Sequence, residues 1–243
     1  MRIRVGLAAI IGCAVLCLAL PAFGQVSITL TGVNGSTSGS ALNGEDVYTG
    51  LYYATVNGIA DQEVICDDFT HNVTIGETWN AVAINTSALN STNIRQTEFG
   101  GAIGLQGYAE VATLISEIYA LNNSTGAFGG QPVVSGTDLS EAIWDITTPV
   151  PPGLTGSSPT ALALVTYVKG LYKTDDSALA YLSTLNLWIM TPSPNSGPQE
   201  FWKDPPPPLP EGGAAPLYLF FAGLACFGAM CFSPRNQFGN RVA

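Results

Sequence analysis

The residues best able to do chemistry lie close together in the sequence, at Cys66, Asp67, Asp68 and His71. A thiol becomes a nucleophile at neutral pH when a nearby imidazole accepts its proton, and a carboxylate can orient that imidazole. His71 is the only histidine, however, and it follows Cys66 by five residues in a segment with strand composition. Residues separated by an odd number point to opposite faces of a strand. The spacing therefore favours a buried thiol and a surface imidazole over a catalytic dyad, with one aspartate solvated and the other capping a turn.

The rest of the chain offers no recognisable catalytic or cofactor-binding motif. It contains no phosphate-binding glycine loop, zinc-ligand spacing, EF-hand loop or Gly-x-Ser-x-Gly nucleophile elbow. Residues 25–211 carry four lysines and arginines against eighteen aspartates and glutamates, a formal charge of −14. A strongly negative protein repels nucleic acid and anionic lipid surfaces. We therefore expect no catalytic residue, no cofactor, no metal and no nucleic-acid partner, and we assign Trp79, Trp144 and Trp188 to the core.

The N-terminus has the composition of a secretory signal peptide. Two arginines precede an apolar run at residues 5–20, and the small residues that signal peptidase prefers follow it. The pattern predicts a signal peptide at residues 1–24, with cleavage between Gly24 and Gln25. A lipobox-like sequence that ends at Cys13 is the alternative, and it would leave a short apolar core.

The C-terminus contains a segment that is long and apolar enough to span a bilayer. Residues 214–232 are nineteen residues without a charge, about 28 Å as a helix and close to the ~30 Å thickness of the hydrocarbon core. Arg235 and Arg241 follow, with no acidic residue after them. By the positive-inside rule, residues 233–243 form a cytoplasmic tail and residues 25–202 an extracytoplasmic domain.

Only one of the five cysteines, Cys66, lies in the predicted extracytoplasmic domain. Exported proteins normally pair their cysteines, so a single one is a free buried thiol, an intermolecular partner or a chemically special group. No intrachain disulfide can then stabilise the domain, and an ordinary hydrophobic core must hold it together.

The first half of this domain is predicted to consist of strands. Strand composition or period-two alternation marks residues 26–31, 47–56, 63–69 and 79–84. Asn57 and Gly58 provide the signal for a tight hairpin turn. These runs predict an antiparallel, sandwich-like meander.

The second half changes to helical spacing. Apolar residues recur with a helical period in a run at 107–121, in a helix capped by Thr137 and Asp138, and in further helices at 159–171 and 175–185. Strand composition then returns at 185–190 and 199–202. We therefore predict an α+β fold in which about four helices are inserted between the meander and a returning C-terminal strand, followed by one transmembrane helix.

The last 35 residues resemble a known sorting signal. A Pro-Glu pair at Pro210 and Glu211 precedes the apolar segment 214–232, and Arg235 follows it. This order is similar to the PEP-CTERM signals of bacterial exosortase systems, although Gly212 replaces the usual proline and the basic end is sparse. The resemblance implies delivery to the cell envelope by an exosortase-like sorting protease, with cleavage near Glu211 in the spacer 203–213. The alternative is a permanent single-pass anchor.

A second resemblance concerns the extracytoplasmic domain. An early Ile-Cys-Asp-Asp and a later Ala-Ile-Trp are similar to the motifs of bacterial thioester domains found in surface adhesins. The corresponding positions here are Cys66, Asp67, Ser140, Ala142, Ile143 and Trp144. In reactive members, the cysteine is joined to a glutamine two residues before the Ala-Ile-Trp, and that position is Ser140. The resemblance implies a domain that keeps the family cysteine but lacks the carboxamide needed for the thioester.

Together these observations predict a non-enzymatic envelope protein that is structural or adhesive in the extracellular matrix. Envelope polysaccharides or other surface proteins are the expected partners, with the membrane contacted through the C-terminal helix. The alternative is a covalent, thioester-like adhesin or a cysteine-based surface enzyme that depends on Cys66.

Overall fold

The structure, a computed structural model, describes residues 23–34, 42–122, 124–148, 154–194 and 197–204. The predicted signal peptide up to Ala22, the Pro210–Glu211 motif and the apolar segment 214–232 lie outside these ranges. In the part of the chain that is described, no helix combines the length and the apolarity needed to cross a membrane.

The described residues form a mixed α and β structure, which confirms the predicted α+β class. The strands are β1 (Phe23–Val33), β2 (Leu51–Val56), β3 (Ile59–Cys66), β4 (Thr78–Asn85), β5 (Gly126–Phe128), β6 (Gln131–Val134), β7 (Trp188–Pro192) and β8 (Phe201–Lys203). The α-helices are α1 (Gly100–Leu121), α2 (Gly136–Thr147), α3 (Pro159–Val168) and α4 (Asp175–Leu182).

Six of these strands close into an antiparallel barrel in the order β1-β2-β3-β8-β7-β4. β1 pairs with both β2 and β4, and the short β8 pairs with β3 on one side and β7 on the other. The meander prediction was therefore correct in its antiparallel strands but wrong in its open, sandwich-like form. Closure requires two strands that follow the helices to return between β3 and β4, which local periodicity does not reveal.

Alternating side chains on the strands supply two different cores. Those that point into the barrel form one apolar cluster, which includes Ile28, Tyr52, Cys66, Met190 and Phe201. Side chains of the opposite face join a second cluster with the helices, and they are Leu51, Ile65, Ile84, Ile189 and Trp202. The barrel wall is therefore apolar on both faces where the helices cover it.

Several predicted boundaries move in the structure. The hairpin turn at Asn57 and Gly58 is confirmed, and both residues have positive φ values, 51° and 80°, as a tight turn of this kind requires. α1 starts at Gly100 but is kinked at Gly104, whose φ of 63° is not helical, so its long continuous part begins close to the predicted start at residue 107. The cap of α2 is Ser135, not Thr137, because the Ser135 hydroxyl accepts the Asp138 N–H and the Asp138 carboxylate accepts the Ser135 N–H.

The hairpin of β5 and β6, between α1 and α2, was not predicted. The predicted cleavage point between Gly24 and Gln25 falls inside β1, where Gln25 pairs with Val82 of β4. Cleavage there would leave residues 25–33 of β1 in place.

Candidate functional site

The chemically interesting residues gather where β3 ends, at one end of the barrel. β3 ends at Cys66, earlier than predicted, because the Asp68 carboxylate turns the chain. One oxygen of that carboxylate accepts the Thr70 and His71 backbone N–H groups at 2.7 and 3.1 Å and the Thr70 hydroxyl at 2.7 Å. Three donors on one carboxylate oxygen fix the turn locally, as predicted for one member of the aspartate pair.

Cys66 points into the barrel core and is buried. Its thiol contacts the backbone of Asp68, donating to the carbonyl oxygen at 3.2 Å and accepting the N–H at 3.4 Å. Burial in apolar surroundings raises the pKa of the thiol well above its ordinary value, and the neighbouring Asp68 carboxylate raises it further. Cys66 is therefore held as a neutral thiol, the form that is neither a nucleophile nor a metal ligand.

His71 does not serve Cys66. Its Nδ1 lies 2.7 Å from Oδ2 of Asp68, and its ring is about one-third exposed. The Gln199 amide nitrogen donates to the carbonyl oxygens of Asp68 and His71 at 2.7 and 2.6 Å, which ties this turn to the segment before β8. The imidazole therefore belongs to a turn that Asp68 organises, and its side-chain partner is Asp68 rather than Cys66.

Asp67 contradicts the sequence prediction that one aspartate is solvated, since both aspartates are fully buried. Oδ2 of Asp67 accepts the Trp202 indole N–H at 2.7 Å, and Oδ1 has no hydrogen-bond partner. The carboxyl group that interacts with Asp67 most strongly is that of Glu200, which is also fully buried. The carboxyl groups of Asp67 and Glu200, which are far apart in the sequence, are therefore neighbours inside the protein.

The partners of the two carboxyl groups decide which one keeps a proton. Glu200 accepts the Glu98 backbone N–H, the Thr191 hydroxyl and the Tyr108 hydroxyl, three donors that stabilise its charged form. Asp67 has only the Trp202 indole and an oxygen without a partner. Burial raises the pKa of both carboxyls, and for Asp67 the nearby Glu200 charge raises it further.

We therefore assign the proton of this pair to Asp67. A protonated Asp67 donates from the oxygen that otherwise lacks a partner, and Glu200 offers the adjacent acceptor. Such a pair stores a proton but does not expose it, because neither side chain reaches solvent.

Ser140 and Trp144 bring α2 to the same end of the barrel. Oγ of the buried Ser140 accepts the Gly50 N–H at 2.9 Å, and Gly50 directly precedes β2. One turn later, the Trp144 indole N–H donates to the Cys66 carbonyl oxygen at 3.2 Å. The structure thus gathers Cys66, Ser140 and Trp144 around the ends of β2 and β3, although the serine hydroxyl bonds to a backbone amide.

The other motif residues have packing roles. Ala142 and Ile143 are fully buried in the helical core, and Trp144 packs against Phe69 with ring centroids 5.6 Å apart. Trp79 and Trp188 are buried in the barrel cluster. The prediction that these three tryptophans belong to the core is confirmed.

Several residues of this network were not identified from the sequence. They are Glu98, Tyr108, Thr147, Thr191, Gln199, Glu200 and Trp202. The one local signal is an acid, Glu200, directly before the aromatic pair Phe201 and Trp202, a position where a strand residue is usually apolar.

The described residues contain no group of three or more His, Cys, Asp or Glu side chains arranged to hold a metal ion. Comparison of the chain with protein-family models, with curated proteins and with solved structures found no match. The geometry alone therefore carries the functional argument, and it shows a buried, neutral thiol and a buried pair of carboxyl groups.

Proposed function

We propose that this protein is a non-enzymatic component of the cell envelope, exported and then displayed or released through its C-terminal sorting signal. The observation that carries the proposal is the environment of Cys66. The one thiol of the domain is buried in the barrel, bonded to backbone and kept neutral by a raised pKa. A domain whose best candidate nucleophile is buried and neutral acts by non-covalent binding or as a structural component.

The arrangement around Ser140 argues against the covalent alternative. A thioester needs a carboxamide that exchanges its nitrogen for sulfur, and Ser140 offers a hydroxyl whose oxygen already accepts the Gly50 N–H. His71, the other group that could activate sulfur, is paired with Asp68. The position of the motif residues is thus compatible with descent from a thioester domain, and their chemistry favours an inert relative.

The location rests on the chain ends. The predicted signal peptide, the Pro210–Glu211 pair, the apolar segment 214–232 and the net charge of −14 over residues 25–211 all favour export and sorting. A negative, soluble domain in front of such a signal is suited to the outer surface or matrix.

Two measurements on mature protein isolated from its own host test the proposal. Intact mass should equal that of the chain from Gln25, as glutamine or as its cyclised form, to a terminus near Glu211, and it should not change on treatment with methylamine, which adds to a thioester. Iodoacetamide should label Cys66 in denaturant and only slowly in the folded protein. A mass increase on methylamine treatment with release of a free thiol, or rapid labelling of the folded protein, would overturn the non-enzymatic, inert-thiol proposal.

The sorting signal is tested by Glu211→Ala. This variant should accumulate as a longer, membrane-bound form, whereas the matched variant Asp204→Ala, which removes an exposed acid before the proline run, should be processed normally. An intact C-terminus in mature wild-type protein would favour a permanent anchor instead.

A further inference from the structure

We propose that a cleft at the end of the barrel binds a cationic amino sugar, that is, a glycan that carries unacetylated amino groups. The inference rests on the proposed envelope function, because a domain outside the cell is where such a glycan would be met. It adds the chemical class of the ligand, and it depends on the exposed side chains of Glu45, Asp46 and Tyr48.

The cleft has a volume of about 430 Å³, within the range of small-molecule sites, roughly 300–1,000 Å³. It opens where β1 ends, where β2 begins and where the turn after β3 meets the segment before β8. Leu30, Tyr52, Phe69, Trp144 and Gln199 are among the residues that line it. Strands and a helix supply its base through Leu30, Tyr52 and Trp144, and loops supply most of the rest of its lining.

Aromatic and apolar side chains form the inner surface of the cleft. Trp144 and Phe69 lie together with ring centroids 5.6 Å apart, and Tyr52 packs edge-on against Phe201. Two apolar residues of the rim stay exposed, Tyr48 at 46% and Ile75 at 53%. Trp144 and Tyr52 are themselves buried, so Tyr48 offers the exposed aromatic face, which suits the C–H face of a sugar ring and also attracts a cation.

The polar groups of the rim accept hydrogen bonds and carry negative charge. Glu45 and Asp46 are exposed acids on one wall of the cleft. On another wall, the Gln199 amide nitrogen donates to the carbonyl oxygens of Asp68 and His71, so its amide oxygen is the part with bonding capacity left. Asp68 also lines the cleft, but its carboxylate is already bonded to Thr70 and His71.

The charge of the cleft selects among sugars. None of the described residues that line it is lysine or arginine, so this lining offers no strong cation to pair with a uronate or a sugar phosphate. An ammonium group matches the two exposed carboxylates and the exposed ring of Tyr48 at the same time. The charge of −14 over residues 25–211 attracts a polycationic glycan over a longer range.

The experiment uses the mature protein isolated from its host and three oligosaccharides of equal length. These are a β-1,4-linked glucosamine hexamer, its fully N-acetylated counterpart and a galacturonate hexamer. Binding is followed by calorimetry and by tryptophan fluorescence, since Trp144 lines the cleft. The glucosamine hexamer alone should bind, and its affinity should fall at least several-fold when salt is raised from about 50 to 300 mM.

Matched variants locate the site. Tyr48→Ala and the double change Glu45→Gln with Asp46→Asn should each weaken binding at least tenfold. Tyr167→Ala, a similarly exposed tyrosine at 41%, and Asp175→Asn with Asp176→Asn, an exposed acidic pair on α4, should bind like the wild type. All of these side chains are exposed, so unchanged circular dichroism and melting temperature will show that each variant folds.

Three outcomes would overturn the proposal: no binding of the glucosamine hexamer, equal binding of the acetylated hexamer, or equal weakening by the control variants. These outcomes are separate from those of the sorting and thiol tests. Loss of glycan binding in a protein that is exported and processed at Glu211 would reject the ligand class and leave the envelope function standing.

Discussion

The proton held between Asp67 and Glu200 makes the stability of the protein depend on pH in a defined direction. The pKa of Asp67 in the folded protein lies well above 3.8, the ordinary value, because the group is buried beside another carboxyl. At a pH between the ordinary pKa and the raised pKa of the folded protein, the folded state keeps a proton that the unfolded state has released. The free energy of unfolding is therefore greatest at low pH in this window and falls as pH rises through it.

The size of the effect follows from counting protons. For each unit by which pH rises, one proton that only the folded state retains lowers the free energy of unfolding by up to about 1.4 kcal/mol. The upper limit between pH 5 and pH 7 is about 2.7 kcal/mol. The change Asp67→Asn removes that proton and keeps the shape. The amide oxygen can accept the Trp202 indole N–H, and the amide nitrogen can donate to Glu200 in place of the carboxyl proton.

We therefore expect urea unfolding of the two proteins at pH 5, 6 and 7 to give curves that separate as pH rises. The variant should gain up to about 2.7 kcal/mol relative to the wild type over this range. Glu200 and Glu98, whose pKa values burial also raises, remain in both proteins, so the difference isolates the pair that contains Asp67. Losing the carboxyl beside it should also ease ionisation of Glu200, which acts in the same direction.

The control is Asp61→Asn, which removes an exposed acid and should leave the wild-type dependence on pH unchanged. Asn suits that position because Asp61 has a φ of 57°, a conformation that asparagine tolerates. Parallel curves for the wild type and Asp67→Asn would refute the assignment of the proton to this pair. So would a wild-type stability that rises from pH 5 to pH 7.

Three further predictions follow from the same region and from the chain ends. Cys66→Ala should lower the free energy of unfolding by about 1–2 kcal/mol as a small truncation in the barrel core, with glycan binding unchanged; a loss of binding would contradict the inert role. Ser140→Ala should cost about 1–3 kcal/mol in urea unfolding because the buried Gly50 N–H loses its acceptor, while the exposed Ser183→Ala should cost under about 0.5 kcal/mol. Protease added to spheroplasts should remove the domain and spare the C-terminal segment; a protected domain would reject the predicted topology.

The sequence alone determined the features that depend on neighbours in the chain. Period-two and helical spacing located most of the strands and helices, because each pattern reflects which side of one element is buried. The Asn57-Gly58 turn was correct for the same reason, since the conformation of a two-residue turn depends on those two residues. Boundaries were less secure: the sequence predicted Thr137 and Asp138 as the cap of α2, and the hydrogen bonds of the structure identify Ser135 instead.

Tertiary structure decided the barrel and the site. Asp67 bonds to Trp202, which lies 135 residues later, and meets Glu200 only because β8 returns to pair with β3. Nothing near Asp67 in the sequence signals that contact, so an aspartate next to another aspartate was expected in solvent. Burial of a carboxyl is tolerated only when distant donors and a shared proton offset the loss of water. The charge state of the site is thus a property of the closed barrel, whereas the strand that carries Cys66 was already visible in the order of residues.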